Sequence, residues 1–406
     1  MSPQILATRR KGRRVPYNSE NCRILHLPNL EFTESGPDQF PGKEEIAQYF
    51  VDYAEKISAP INCGVEVTRI SEASWRHQFH VETSEGQLTA NNIVVATGPF
   101  QLPVFPPLVP DNAGVRQIHS SAYRNPAQLP AGSVLVVGAG SSGTQIAEEL
   151  LDSGRDVYLS VGPHDRPPRR YRGQDFVWWL GMLGKWDAPA STPGAKHITI
   201  AVSGAAGGRT IDFRRLSTAG MHLLGRATGW VDGVLHFAPD LKENIHKGDQ
   251  NYLALLREAD AYIAARGLDL PMDPSAWTIG PDPDCLAHPL LTLDLEQNEI
   301  STIVWATGYE LDLSWLELNA FDAVGRPQHQ RGVSLTIDGL YFLGLPFLTR
   351  RGSSFIWGVW HDAKYIADHI ATRRNYMTHL HRNNLHRSQQ QDRTDKGSND
   401  GAYPPS

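Results

Sequence analysis

Six consecutive residues, Gly138-Ala139-Gly140-Ser141-Ser142-Gly143, have the spacing that lets a backbone turn hold a pyrophosphate. With 36 glycines in 406 residues, G-x-G-x-x-G arises by chance about 0.3 times in a chain this long, so the pattern alone decides little. Its flanks decide more. The apolar strand Val134 to Val137 runs into the turn, and a helix from Thr144 to Leu151 leaves it, as in a βαβ unit. Gly138 then makes the tight turn and Gly140 lets the backbone approach a pyrophosphate. Gly143 lets helix and strand pack, and the anion sits at the helix N-terminus. A Gly-rich turn without a ligand is the competing reading.

The choice of dinucleotide rests on the end of the next strand, Asp156 to Val161. A site for NADH or FAD places a carboxylate there, on the ribose 2′-hydroxyl. This strand ends Ser160-Val161-Gly162 without one, and the following loop supplies Arg166, Arg169, Arg170 and Arg172. That set is a cradle for the 2′-phosphate of NADPH, with an ordinary solvated surface as the alternative.

The elements that must position this turn are readable on both sides of it. Apolar residues at Ile46, Tyr49, Phe50, Tyr53, Ala54 and Ile57 have helical spacing. After Pro60, the short alternating runs VEVTRI, HQFHVETSEG and QLTANNIVVATG predict an antiparallel meander feeding a buried strand that ends at Gly98. The Pro-rich bridge Gly98 to Pro110 marks a first boundary. Residues 164–250 show few clean periods. Tyr252 to Arg266 is an amphipathic helix stopped by Gly267. ISTIVWATGY then repeats the earlier VVATG, and a last helix runs from about Gly358 to Arg373. The fold class expected is α/β, with a parallel sheet covered by helices.

The ordered motifs FPGKEEIAQYFVDYA, VVATGPF, HSSAYRNP, VLVVGAGSSGTQIAEEL and IVWATGY resemble the flavin-containing monooxygenases. The likeness is to their bacterial and fungal relatives and to the plant indole-pyruvate monooxygenases, whose LHLP loop is matched by Leu25-His26-Leu27-Pro28. It covers roughly residues 22–375. The resemblance implies two Rossmann-like domains binding FAD and NADPH, with Ala96-Thr97-Gly98 and Ala306-Thr307-Gly308 as the crossings between them. It also implies chemistry carried by the cofactors: hydride transfer to the flavin, addition of oxygen, and delivery of one oxygen atom from a flavin hydroperoxide to a small N-, S- or carbonyl-type substrate. Gly352 and Ser353 are implied to offer backbone donors to the flavin ring, and Asn29 matches by position the family's active-site polar residue.

Two departures stand out. In the family signature F-x-G-x-x-x-H-x-x-x-Y/F, Ala113 and Val115 replace the Phe and Gly, while His119 and Tyr123 remain. More consequentially, residues 1–41 contain only Gly12 and Gly36 and nothing resembling the first βαβ unit, which would place the FAD pyrophosphate. The expectation is therefore an N-terminally incomplete, discontinuous FAD domain (1–105 and 301–382) with the NADPH domain (106–300) inserted, and a disordered tail over 383–406. Either the chain is a shortened monooxygenase, or it is a catalytically silent protein that binds NADPH without flavin.

Composition excludes other classes. A length of 406 residues suits two or three domains at roughly 150 each. The net charge of −6 gives no electrostatic reason to bind nucleic acid or anionic membrane. No apolar run is long enough to span a bilayer, and Cys22, Cys63 and Cys285 are far apart, which fits a reducing, cytoplasmic setting. Without a cysteine pair, a flavin disulfide reductase lacks its acceptor. The basic run Arg9 to Arg14 reads as a solvated terminus or an import signal, and His379, His381 and His386 as a solvated helix end rather than a metal site. Trp178 and Trp179 read as packing.

Overall fold

The computed structural model describes residues 5–7, 26–32, 39–73, 78–189, 199–204 and 207–397. The basic run Arg9 to Arg14, Cys22 and Leu25 lie outside them.

The elements that position the site are, in chain order, β1 (Ile5–Ala7), α1 (Lys43–Lys56), β2 (Ile61–Cys63), β3 (Val67–Glu72), β4 (Phe79–Thr83), β5 (Gly86–Ala90), β6 (Ile93–Val95), β7 (Arg116–His119), β8 (Ser133–Val137), α2 (Ser141–Asp152), β9 (Val157–Ser160), β10 (His222–Leu224), α3 (Leu241–Arg266), β11 (Ile300–Trp305), β12 (Leu340–Phe342) and α4 (Val359–Gly397).

Strands β7-β11-β8-β9-β10, in that order, form an all-parallel sheet. All five residues of β8 are buried, as expected for a strand covered on both faces. Alternation sends Val134 and Val136 to one face, against Ile146, Ala147 and Leu150 of α2. Leu135 and Val137 go to the other, with Ile303 and Trp305, where the antiparallel strands Ala227–Val231, Val234–Phe237 and Thr292–Asp294 cover them. Strand β11, which starts at the boundary expected at residue 300, is a full member of this sheet.

The second unit draws on both ends of the chain. β6 pairs in parallel with β12, more than two hundred residues later, and its Val95 packs with Phe79, Val81, Leu340 and Phe342. The expected meander is present as β3-β4-β5. Val94, however, is exposed, so β6 is only partly buried. β1 pairs in parallel with β2, a strand too short to leave a period in the sequence. The last helix also differs from expectation: α4 continues to Gly397, through most of the stretch whose polar composition suggested a disordered tail. Among the described residues, no helix is long and apolar enough to cross a membrane.

Candidate functional site: a dinucleotide turn between two crossings

The six-residue turn lies between β8 and α2. Gly138 has φ +110, and a β-carbon there would stand 2.5 Å from the Ala306 carbonyl oxygen. On Gly143 it would stand 1.8 Å from the Gly138 carbonyl oxygen and 3.1 Å from the Ala306 β-carbon. Both positions therefore require glycine, and the structure brings Ala306, from the second A-T-G, directly onto the turn. Gly138 N–H donates to the Ser160 carbonyl at 3.1 Å, which fixes the turn at the C-terminal edge of the sheet.

Gly140 caps α2 without a side-chain hydrogen bond, so no cap side chain takes up the first-turn amides, which are the anion donors of a helix start. A strap, Thr199 to Val202, crosses beside them. Ser141 Oγ donates to the Ile200 carbonyl at 2.8 Å, and Gln145 Nε2 to the Val202 carbonyl at 3.2 Å. The Thr199 methyl stands 2.9 Å from where a β-carbon on Gly140 would be. Ser142 is exposed at the helix end.

The two crossings are tied together through the Pro-rich bridge. Gln101 Nε2 donates to Thr97 Oγ1 at 2.8 Å and to the Gly98 carbonyl at 2.7 Å, while its Oε1 accepts from Asp312 N–H at 2.6 Å. Ala96 precedes this turn on the exposed side. Thr307 Oγ1 donates to the Val104 carbonyl at 2.6 Å. His119, 2% exposed, donates from Nε2 to the Gly308 carbonyl at 3.0 Å. Its Nδ1 accepts from Ser121 N–H at 3.2 Å, which sets the tautomer. The signature histidine thus braces the second crossing although its Phe and Gly companions are replaced.

Several expected site residues have other work. Arg166 pairs with Asp249 at 2.7 Å, and Arg169 Nε with Asp175 at 2.8 Å; both arginines are buried. Arg169 is also stacked between Phe40 and Phe176, at 4.4 and 4.7 Å. Arg170 is half-buried beside the same Asp175, which feels its charge. A cradle of solvent-facing guanidinium groups is therefore not what this loop builds: buried arginines require carboxylate partners, and these have taken them. Ser160 also turns inward. Its Oγ donates to the Gly225 carbonyl at 2.9 Å and accepts from Ala227 N–H at 3.2 Å. That places Arg226, which nothing in its local sequence marks out, at the same sheet edge.

The expected flavin donors are also spent. Gly352 N–H donates to the Trp186 carbonyl at 3.0 Å, and Ser353 N–H to the Arg350 carbonyl at 3.1 Å. Ser353 Oγ accepts from Thr349 and Arg350 N–H groups, both at 3.1 Å. These two residues build a turn rather than present donors. Two buried polar atoms nearby lack any partner among the described residues, Trp357 Nε1 and Asp362 Oδ2. They leave one donor and one acceptor unsatisfied close to the start of α4. Asn29 sits exposed at the tip of a hairpin, with φ 64, between the paired Leu27 and Leu30. Pro28 followed by a left-handed Asn is a turn requirement, so local geometry accounts for it fully. Trp178 and Trp179 pack edge to face at 4.8 Å, as the sequence suggested.

A parallel five-stranded sheet with a pyrophosphate turn, crossed twice to a second parallel pair, defines a two-unit oxidoreductase of dinucleotide-binding architecture. The profile of the pyridine nucleotide-disulphide oxidoreductases matches residues 14–176. A CzcO-like oxidoreductase of Geobacillus kaustophilus is 36% identical over 347 residues, 85% of this chain and 82% of its own length. A probable indole-3-pyruvate monooxygenase of Arabidopsis thaliana, YUCCA4, is 32% identical over 86% of this chain and 76% of its own. Among solved structures, a flavin-containing monooxygenase from Stenotrophomonas maltophilia superposes with TM-score 0.58 at 15% identity, covering 88% of this chain and 84% of that one. The bacillithiol disulfide reductase of Bacillus cereus does so at 0.54 and 17% identity, covering 91% of each chain. These two likenesses concern the fold alone. The chain belongs to the flavin-containing monooxygenase family and is an oxidoreductase.

Proposed function

We propose that the chain is an NADPH- and FAD-dependent monooxygenase that places one oxygen atom from O2 on a small organic substrate, an amine, sulfide or carbonyl compound. The observation that carries this reading is the Gly138–Gly143 turn, in which two glycines admit no side chain and no cap side chain takes up the first-turn amides of α2. Its family relatives include proteins described as indole-3-pyruvate monooxygenases, which supports oxygen transfer over simple electron transfer. When bound, the nicotinamide supplies a hydride and the flavin activates oxygen.

The chain's own residues bind and align. The α2 amides take the pyrophosphate, with the Thr199–Val202 strap hydrogen-bonded alongside. Ala306 and His119 hold the second crossing against the turn. Trp357 Nε1 and Asp362 Oδ2, buried without partners near the start of α4, would be the groups left to hold a flavin there. The NADPH unit spans residues 106–300, with β11 joining its sheet, and the absence of a cysteine pair supports a cytoplasmic setting.

One observation favours a second reading, an NADP-binding protein without flavin chemistry. The sequence has a single G-x-G-x-x-G, and the Gly352 and Ser353 amides are committed elsewhere. One experiment separates the two: the purified chain, supplied with FAD, is examined for flavin absorbance and for oxygen uptake driven by NADPH. Flavin binding with NADPH-dependent oxygen uptake is the expected result. NADPH binding with neither would sink the monooxygenase and leave the silent binder.

A further inference from the structure

We propose that Arg226 is the residue that recognises the 2′-phosphate of NADPH, and that Ser160 is the positioning residue that holds it there. This rests on the nucleotide reading above and names the specificity determinant of that same site.

With the pyrophosphate at the start of α2, the adenosine ribose falls beyond the end of the next strand, β9, about twenty residues past the turn. Ser160 ends β9, and its carbonyl accepts from Gly138 N–H at 3.1 Å, so this strand end and the turn are one edge. β10 lies beside β9, with Ser160 opposite Leu224. The Ser160 hydroxyl reaches across to the residues on either side of Arg226, donating to the Gly225 carbonyl at 2.9 Å and accepting from Ala227 N–H at 3.2 Å. Arg226 is thereby anchored by its backbone where a ribose 2′-substituent arrives.

Its side chain is available. It is 64% exposed, and its ion pair is a long one, Nε to Asp240 Oδ2 at 3.8 Å. Asp240 is otherwise engaged in accepting from Arg226 N–H at 3.0 Å. By contrast, Arg166 and Arg169 are buried on Asp249 and Asp175 and cannot turn outward without breaking a buried ion pair. No carboxylate occupies Ser160-Val161-Gly162, where an NADH site places its acceptor for the 2′-hydroxyl, and the Asp240 carboxylate at this edge is held by the Arg226 N–H. A guanidinium fork suits a phosphate better than any other group at this edge.

The test is equilibrium binding of NADPH and NADH, read by nucleotide fluorescence, to wild type, Arg226→Ala, Arg226→Lys and Gly143→Ala, with melting curves for each. Arg226→Ala is expected to melt like wild type and to bind NADPH roughly 10- to 100-fold more weakly, with NADH unchanged. Arg226→Lys should retain part of the preference, since a point charge remains without the fork. If Arg226→Ala keeps the wild-type preference for NADPH, the assignment is wrong while the nucleotide reading stands. If wild type binds neither nucleotide, or Gly143→Ala folds and binds as wild type does, the nucleotide reading itself fails and takes the assignment with it.

Discussion

Gly143 lies so close to Gly138 that a β-carbon on the former would stand 1.8 Å from the carbonyl oxygen of the latter. The contact is backbone on one side and a helix's first turn on the other, so neither can rotate away. Gly143→Ala must push α2 off β8, separating Ile146 and Ala147 from Val134 and Val136. A loss of about 3 kcal/mol in unfolding free energy is expected, at the upper end for overpacking. Denaturant titration measures it, and a variant as stable as wild type would show that the turn relaxes in solution.

The pair Arg169 and Asp175 gives a second outcome, of opposite character to a ligand site. Both side chains are 1% exposed, and Asp175 also caps the short helix Phe176–Met182 through Val177 N–H at 2.9 Å. Burial pushes the Asp175 carboxyl upward, and the Arg169 guanidinium pulls the other way. Removing either partner breaks a buried ion pair, so Arg169→Met and Asp175→Ala should each cost about 3–5 kcal/mol. The folded fraction of Arg169→Met should keep wild-type NADPH affinity. Weakened NADPH binding without lost stability would return Arg169 to the nucleotide site.

These two cases mark where the sequence is informative. The Gly138–Gly143 turn is legible because every requirement on it is local: an apolar strand before, a helix after, three glycines between. The alternating runs around Phe79 and Val81 are legible for the same reason. The arginines are not, because burial is decided by partners such as Asp249, eighty-three residues beyond Arg166. A run of four arginines in a loop looks solvated until the fold delivers the carboxylates. Arg226 was missed for the converse reason, since its place beside Ser160 exists only through the pairing of β9 with β10.

Asn29 separates a turn residue from a catalytic one. At φ 64, Gly is tolerated and a β-branched residue is strained. Tyr49 pins the hairpin from below, accepting from Leu27 N–H at 2.6 Å and donating to the Leu30 carbonyl at 2.7 Å. Asn29→Gly is therefore expected to stay within about 0.5 kcal/mol of wild type and to retain turnover, whereas Asn29→Val should lose about 1–3 kcal/mol. Steady-state rates on Asn29→Gly decide the matter: a large fall in kcat with stability intact would make the amide catalytic.

His164 sets a pH dependence. Its Nδ1 meets the Gly162 carbonyl at 2.9 Å, its Nε2 has no partner among the described residues, and its ring packs 4.8 Å from Phe213. Burial holds its pKa below the ordinary histidine value, with the Arg166 charge adding to the effect and Asp249 opposing it. Protonation therefore favours the unfolded chain, where the imidazole titrates near pH 6.5. Above that pH both states hold a neutral ring and the fold keeps its full stability. As pH falls below it, the unfolded state gains a proton that the folded state refuses, and stability declines until the lowered folded pKa is reached. His164→Phe keeps the packing on Phe213 and removes the proton site. Urea midpoints at pH 7.5 and 5.5 should therefore differ less in His164→Phe than in wild type. An unchanged difference would mean that the acid sensitivity comes from other groups, of which His329, whose pKa burial also lowers, is the next to substitute.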